Sequence, residues 1–538
     1  MKKLFLILLS IAFLIRLLGI NTVLHTDEVS WAMAVLQPFP KYINWIPHPP
    51  LAVILYKIPS ILFEVTTQNL RIVPLIFGLL TIFLTYKIGQ KLYNEKAAII
   101  ATILMTFSFW HNIASTQVDM DGSILTFIFL FFFFIYLKYE KKAKLTYLLY
   151  CGILLGAALL TKFTGILLLV IFALYIFFKD RNLKNTAIQV LIVALTGFGV
   201  FFIYLILTRI FAPYMLDVIF LRASIITPKF SLLSLLYLLL WATPLLLGLA
   251  LIQISKLKKK DSLFIIWIFV QLIFYMFLGS PLSSPFDRYL MILIPPLAIL
   301  TGNYLTQLKF DKKTFFSTLI ISYFVFILIN LNTTYLPHSF GNYFTYLKNF
   351  NWNFYLPFTG SSGPTMGINF ITIAITMIAS LFLIPSILYL KKHRNKLILI
   401  FLAINLSFNL LLIQESTLSL VYPSVSQAQY ELYAYIKINE IPRPIYSNLR
   451  SPLFYLNEES TYSLYTRRGD IFLEFNYAYT TDQIISLQDI IAAEHGTFVV
   501  IDYPTLDKEN NLWKLITACE LKKTFFQKQT PMAYIYTC

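Results

Sequence analysis

Apolar stretches long enough to cross a lipid bilayer recur along this chain from Leu4 to about Ile413 and then stop. A hydrocarbon core about 30 Å thick asks for roughly 20 apolar residues per helix. Inside it every backbone N–H and C=O must be paired, which leaves helices as the spanning elements for runs of this length. Of 538 residues, 58% are hydrophobic and only 13% charged, with 49 Phe and 34 Tyr. No soluble globular domain carries that balance. The expected fold is a polytopic α-helical membrane protein over residues 1–413, followed by a soluble domain over 414–538.

A net charge of +17 would suit nucleic acid if it were pooled on one segment. Here Lys and Arg sit in short clusters between apolar runs: Lys2-Lys3, Lys87 to Lys96, Lys138 to Lys144, Lys179 to Lys184, Lys256 to Lys260, Lys309 to Lys313 and Lys391 to Lys396. Clusters on alternate connections mark the cytoplasmic side, so no nucleic-acid partner is expected. Counting crossings between them gives about thirteen helices, a cytoplasmic N-terminus and an extracytoplasmic C-terminal domain. The outward connections then hold Asp27-Glu28, Asp119 and Asp121, Lys162, Asp217 and Arg222, Asp287-Arg288, and the aromatic segment from Asn332 to Gly367. Met1 to Ile20 has the charged start and apolar run of a signal peptide, but Arg16 interrupts it and no small-x-small site precedes Asn21, so an uncleaved anchor is expected.

Beyond Gln414, Tyr430 to Ile436 reads as a helix, Pro444 to Ser447 as the entry to a strand, and Thr497 to Asp502 as a buried strand, which predicts a small α/β domain. Cys519 and Cys538 flank a hairpin-like stretch; on an oxidising face they pair, otherwise they are free thiols. Cys151 lies in an apolar helix and reads as packing, as does the run Phe127 to Phe134. No Cys/His spacing matches a zinc or haem site.

Charges beside a bilayer must be solvated, paired or used. The string His25-Thr26-Asp27-Glu28-Val29-Ser30-Trp31 is followed by His48-Pro49-Pro50 and by Leu70-Arg71-Ile72-Val73-Pro74. Asp119-Met120-Asp121, Gly156 to Lys162, and Asp287-Arg288-Tyr289-Leu290 with Pro295-Pro296 come after these in order. Together they resemble the GT-C-fold membrane glycosyltransferases of glycosyltransferase family 39, the group containing protein O-mannosyltransferases and the lipid A aminoarabinose transferase. The resemblance runs from about Phe5 to Leu305; later helices and the C-terminal domain match in layout only.

That resemblance implies transfer of a sugar from a polyprenyl-phosphate donor to a lipid, glycan or protein acceptor at the outer face of the cell membrane. Such transfer needs a base for the acceptor and cations for the departing phosphate. The resemblance gives the base to Asp27, with Glu28 orienting the acceptor or the partners of Asp27, and Asp119 as a further catalytic residue beside the substrate-binding Asp121. Asp119 and Asp121 as a pair would bind sugar hydroxyls or hold a divalent cation through oxygen ligands; metal dependence stays open. Lys162 and Arg288 would hold the donor phosphate, with His48 and Tyr289 as second contacts.

Each residue has a structural rival reading. Asp27-Glu28 and Asp119/Asp121 suit the first turns of helices beginning near Val29 and Gly122. Lys162 suits an interfacial lysine, Arg288 an interfacial anchor, His48 a loop brace, and Asp217 with Arg222 a loop ion pair. A lipid or sugar transporter would also be polytopic, yet its polar groups belong in mid-membrane broken helices; here they gather on one side. A polysaccharide polymerase or ligase would share the architecture and move a larger glycan.

Overall fold

The structure is a computed structural model that describes residues 2–224, 259–278, 289–337, 340–357, 366–389, 392–457, 467–475, 481–503 and 506–538. Ten helices build its first part: α1 (Lys2–Leu18), α2 (Thr26–Leu36), α3 (Leu51–Leu62), α4 (Thr67–Leu92), α5 (Glu95–Thr106), α6 (Phe109–Ala114), α7 (Thr126–Lys142), α8 (Leu145–Thr161), α9 (Leu167–Asp180) and α10 (Leu183–Phe211). Polar residues mark the starts: the side chains of Thr66, Asn94, Ser108 and Asn182 each accept from a backbone N–H of the first turn of α4, α5, α6 and α10, satisfying donors that a helix end leaves open.

Among the described residues seven helices are long and apolar enough to cross a membrane, including α4, α10, Lys312–Leu331 and Arg394–Leu418. Shorter apolar helices such as α3 and α8 pack among them. Only 11% of the apolar window of α10 and 17% of that in Lys312–Leu331 is buried, so these faces meet lipid, whereas α7, at 72%, is core. The bundle is thus a multi-pass membrane domain. Between α8 and α10 the backbones approach closely: a Cβ on Gly156 would come within 2.7 Å of Val200 Cβ. Small residues allow the dispersion contacts that hold helices together where lipid removes the hydrophobic drive. Arg16 near the end of α1 is fully buried, donating to the carbonyls of Ala12 (3.0 Å) and Met105 (3.3 Å) and bonding His111 Nδ1 at 2.8 Å. It ties α1 to α5 and α6.

A two-stranded ribbon, β1 (Tyr355–Pro357) and β2 (Gly367–Asn369), lies between the helices Lys312–Leu331 and Phe370–Tyr389. The helix Arg394–Leu418 runs past the end of the apolar stretch, and Glu415 closes it by accepting from the N–H groups of Val421 and Tyr422. The C-terminal domain then begins with the helix Val425–Asn439, whose N-cap Ser424 accepts from Gln427 N. Its sheet comprises β3 (Ile445–Ser447), β4 (Phe472–Glu474), β5 (Thr497–Ile501), β6 (Glu520–Gln527) and β7 (Thr530–Thr537) in the order β4-β3-β5-β7-β6. β3 is parallel to β4 and β5; β7 is antiparallel to β5 and β6. Cys519 and Cys538 are joined by a disulfide.

The carboxyl ends of β3 and β5 face the membrane domain. Asn448, just past β3, clasps Ile501 at the end of β5 through both its amide groups at 2.9 Å. Nearby, the Leu24 N–H donates to the Tyr455 hydroxyl at 2.8 Å, Val23 N to Ser426 Oγ at 3.1 Å, and the Tyr430 hydroxyl to Asn21 O at 3.1 Å. The C-terminal domain therefore holds the loop that leads into α2.

Candidate active site

Asp27 and Glu28 occupy the first turn of α2, which begins at Thr26, three residues before the expected start. Successive helical residues point about 100° apart, and here that separates two roles. Glu28 is 1% exposed. It accepts from Arg71 Nη2 at 3.0 and 2.9 Å, from Val118 N at 2.9 Å and from His25 N at 2.9 Å. Arg71 in turn donates to the carbonyls of Gly19 (3.2 Å), Thr22 (2.6 Å) and Val23 (3.3 Å). Buried charges of this kind are tolerated when fully hydrogen-bonded. Glu28, expected to orient the acceptor or the partners of Asp27, lies behind the site rather than among its lining residues; its reach is toward the scaffold.

Asp27, partly exposed, lines a cavity of about 310 Å³ together with Ser30, Trp31, Asn44, Trp45, His48, Asp119, Asp121, Lys162, Arg450 and Arg467. Three carboxylates and three cations thus face one space. The expected residues Asp27, His48, Asp119, Asp121 and Lys162 are brought together from four separate loops and helix ends. Trp31 packs on Tyr56 with ring centroids 5.5 Å apart, and the Tyr56 hydroxyl donates to Asp119 O at 2.7 Å, so one wall is rigid and aromatic.

The second acidic pair is built by an irregularity. The chain from Asp121 to Leu125 forms a widened turn with Leu125 N bonded to Met120 O at 2.9 Å, five residues back, before α7 becomes regular. Such π-type turns re-aim side chains and recur at functional sites. A Cβ on Gly122 would meet Ala114 Cβ at 2.7 Å and Met291 Sδ at 2.8 Å, so glycine lets the turn sink between α6 and the segment before Pro295. Asp121 then points at Lys162, the residue that ends α8. The Lys162 ammonium lies 2.8 Å from both Asp121 oxygens and 4.1 Å from the centroid of the Tyr289 ring. Tyr289 stacks on Tyr275 at 5.4 Å. It does not line the cavity, and its contact is with Lys162. Asp119, also buried, accepts from Met120 N at 2.7 Å.

Arg288 lies outside the described residues, and so does the side chain of Arg222, the expected partner of Asp217. Two cations that sequence reasoning missed come instead from the C-terminal domain. Arg450 donates from Nε to Glu474 at 2.8 Å and from Nη1 to Ser30 Oγ at 3.1 Å. Arg467 lines the same wall. The signal for Arg450 was its position just after a buried parallel strand, where α/β sheets place their binding residues; for Arg71 it was membership of the string opening α4. Among the described residues no three His, Cys, Asp or Glu side chains are placed to hold a metal ion, and the Asp121 carboxylate is engaged by Lys162.

Residues 47–206, which include His48, Asp119, Asp121 and Lys162, match the family model described as dolichyl-phosphate-mannose-protein mannosyltransferase. The crystal structure of ArnT from Cupriavidus metallidurans in the apo state has a TM-score of 0.59 at 14% identity, covering 99% of this chain and 97% of that one. The same protein bound to undecaprenyl phosphate has a TM-score of 0.58 at 15% identity, with the same coverage. No curated protein matches the chain in sequence. At these identities the structures establish the fold: it is the GT-C fold of membrane glycosyltransferases.

Proposed function

We propose that this chain transfers a sugar from a polyprenyl-phosphate donor to an acceptor at the extracytoplasmic face of a membrane, with Asp27 as the base. The carrying observation is the single cavity in which Asp27 faces the Asp121–Lys162 pair, two tryptophans and two arginines. Asp27 takes the proton of the acceptor nucleophile as its lone pair attacks the anomeric carbon. The bond from that carbon to the phosphate oxygen breaks, and the phosphate leaves with the electron pair. Lys162, Arg450 and Arg467 offset the charge that develops there, with Arg288, next to Tyr289 in sequence, assigned to the same phosphate by resemblance. Trp31 and Trp45 offer flat apolar faces to a sugar ring, and Asp119 accepts from its hydroxyls.

A cavity of about 310 Å³ sits at the low end of the roughly 300–1,000 Å³ typical of small-ligand sites. That leaves room for one sugar with its phosphate. The donor class follows the family match and the undecaprenyl phosphate bound by ArnT.

The outward placement of this site rests on the lysine clusters at the opposite helix ends and is supported by the Cys519–Cys538 disulfide, a bond kept in oxidising compartments. Proteoliposomes supplied with a polyprenyl-phosphate sugar test the whole reading: wild-type protein consumes the donor and releases polyprenyl phosphate, and Asp27→Asn does not. Absence of turnover by the wild type across hexose and pentose donors, with donor translocated intact, makes the chain a transporter instead.

A further inference from the structure

At the end of the bundle away from the candidate site, α5, Ile294–Leu305, Lys312–Leu331 and Arg394–Leu418 enclose a groove of about 650 Å³. Its walls are apolar, with Ile100, Ile103 and Leu104 from α5 facing Leu402 and Leu406. Along α5 it extends from Lys96 to Phe107, about 16 Å at 1.5 Å per residue. That is half of a hydrocarbon core about 30 Å thick, the depth of one leaflet.

The mouth is basic. Lys96 lines it; Lys309 adjoins the lining residue Phe310; Lys312 and Lys313 open the helix whose Phe315 and Phe316 line it; and Lys396 lies one turn before Leu399. All five lysines are exposed. Of the acids nearby, Glu95 accepts from the Tyr86 hydroxyl at 3.3 Å, and Asp311 caps its helix through Thr314 N at 3.3 Å and Thr314 Oγ1 at 2.7 Å. We propose that this groove binds one anionic diacyl phospholipid of the leaflet on the lysine-rich side, its chains between α5 and Arg394–Leu418 and its phosphate among Lys96, Lys309 and Lys396. An apolar trough one leaflet deep with a cationic rim matches that molecule in length and charge, whereas the bare apolar face of α10 matches any lipid chain.

Titrating the purified full-length protein with phosphatidylglycerol or phosphatidylcholine, read by native mass spectrometry, tests this. One phosphatidylglycerol should bind at least tenfold more tightly than phosphatidylcholine. Since each interfacial lysine contributes about fivefold to anionic-lipid affinity, the exposed double variant Lys96→Gln/Lys396→Gln should weaken phosphatidylglycerol about 20-fold and leave phosphatidylcholine unchanged. Phosphatidylglycerol carrying a photoreactive acyl chain should label the peptides of Ile103 and Leu402 ahead of those of α10. Equal affinity for the two headgroups, wild-type binding by the double variant, labelling spread equally over α10, or displacement by a neutral polyprenol would each overturn the proposal.

Discussion

The ammonium of Lys162 sits midway between the oxygens of Asp121, 2.8 Å from each, with the Tyr289 ring beneath it. Its side chain is 12% exposed and that of Asp121 4%. A pair this enclosed keeps a positive charge at the cavity wall without leaving it bare, and the donor phosphate proposed to bind there would meet a cation already oriented by a carboxylate and a ring.

Breaking that pair from one side should be worse than removing both partners. Lys162→Met leaves a buried carboxylate, a loss of about 3–5 kcal/mol in the range for half-broken buried pairs. The double variant Lys162→Met/Asp121→Asn should recover much of that stability in thermal unfolding while staying inactive. A loss in the double variant equal to the sum of the losses in Lys162→Met and Asp121→Asn would show the two side chains to be energetically independent.

Asp27→Asn preserves size and most hydrogen bonding but cannot accept the proton, so turnover should fall by about 100-fold or more, as is typical of general-base loss. Donor binding should survive. Near-normal turnover here, with loss in Asp119→Asn, would move the base to the second acidic position.

Glu28→Gln separates scaffold from chemistry. Removing one charge of the buried Arg71–Glu28 pair should lower unfolding stability by about 3–5 kcal/mol, and the folded fraction that remains should turn over with an unchanged pH profile. A fully stable Glu28→Gln protein with abolished turnover would put its carboxylate in the reaction.

For Arg450, charge-assisted hydrogen bonds worth about 1.5–3 kcal/mol translate into a roughly 10- to 100-fold rise in donor KM for Arg450→Gln. Arg450→Lys, which keeps the charge, should restore part of it. Identical KM for wild type, Gln and Lys variants would confine Arg450 to docking the two domains.

Cys538→Ser opens the loop closed by the disulfide, whose ends are 19 residues apart. Stability of the C-terminal domain should drop by about 3 kcal/mol, seen as faster proteolysis of residues 425–538. A protease pattern matching wild type under oxidising conditions would show that the thiols do not pair.

How much of this was readable beforehand depended on distance along the chain. The membrane half announces itself because apolar length and lysine placement are local properties, and the strands Ile445–Ser447 and Thr497–Ile501 follow from short β-branched and aromatic runs. Asp27, His48, Asp119, Asp121 and Lys162 could be named from their strings. Their meeting in one cavity could not, because it depends on the widened turn at Asp121 and on Gly122. The resemblance separated Asp27 from Glu28, but their local chemistry did not: both are acids in one first turn, and the helix phase relative to Arg71 turns Glu28 inward. Arg450 carried a local signal in its place just after the strand Ile445–Ser447, but its contact with the site did not show, since its partner Ser30 lies 420 residues earlier.

The loop leading into α2 is gripped on one side by Arg71 and on the other by Ser426, Tyr430 and Tyr455. The first of these anchors comes from α4, early in the chain; the others are made by residues more than 400 positions later than the loop they hold. The first turn of α2 is therefore a joint between the two domains, and loosening their contact would release the turn that carries Asp27.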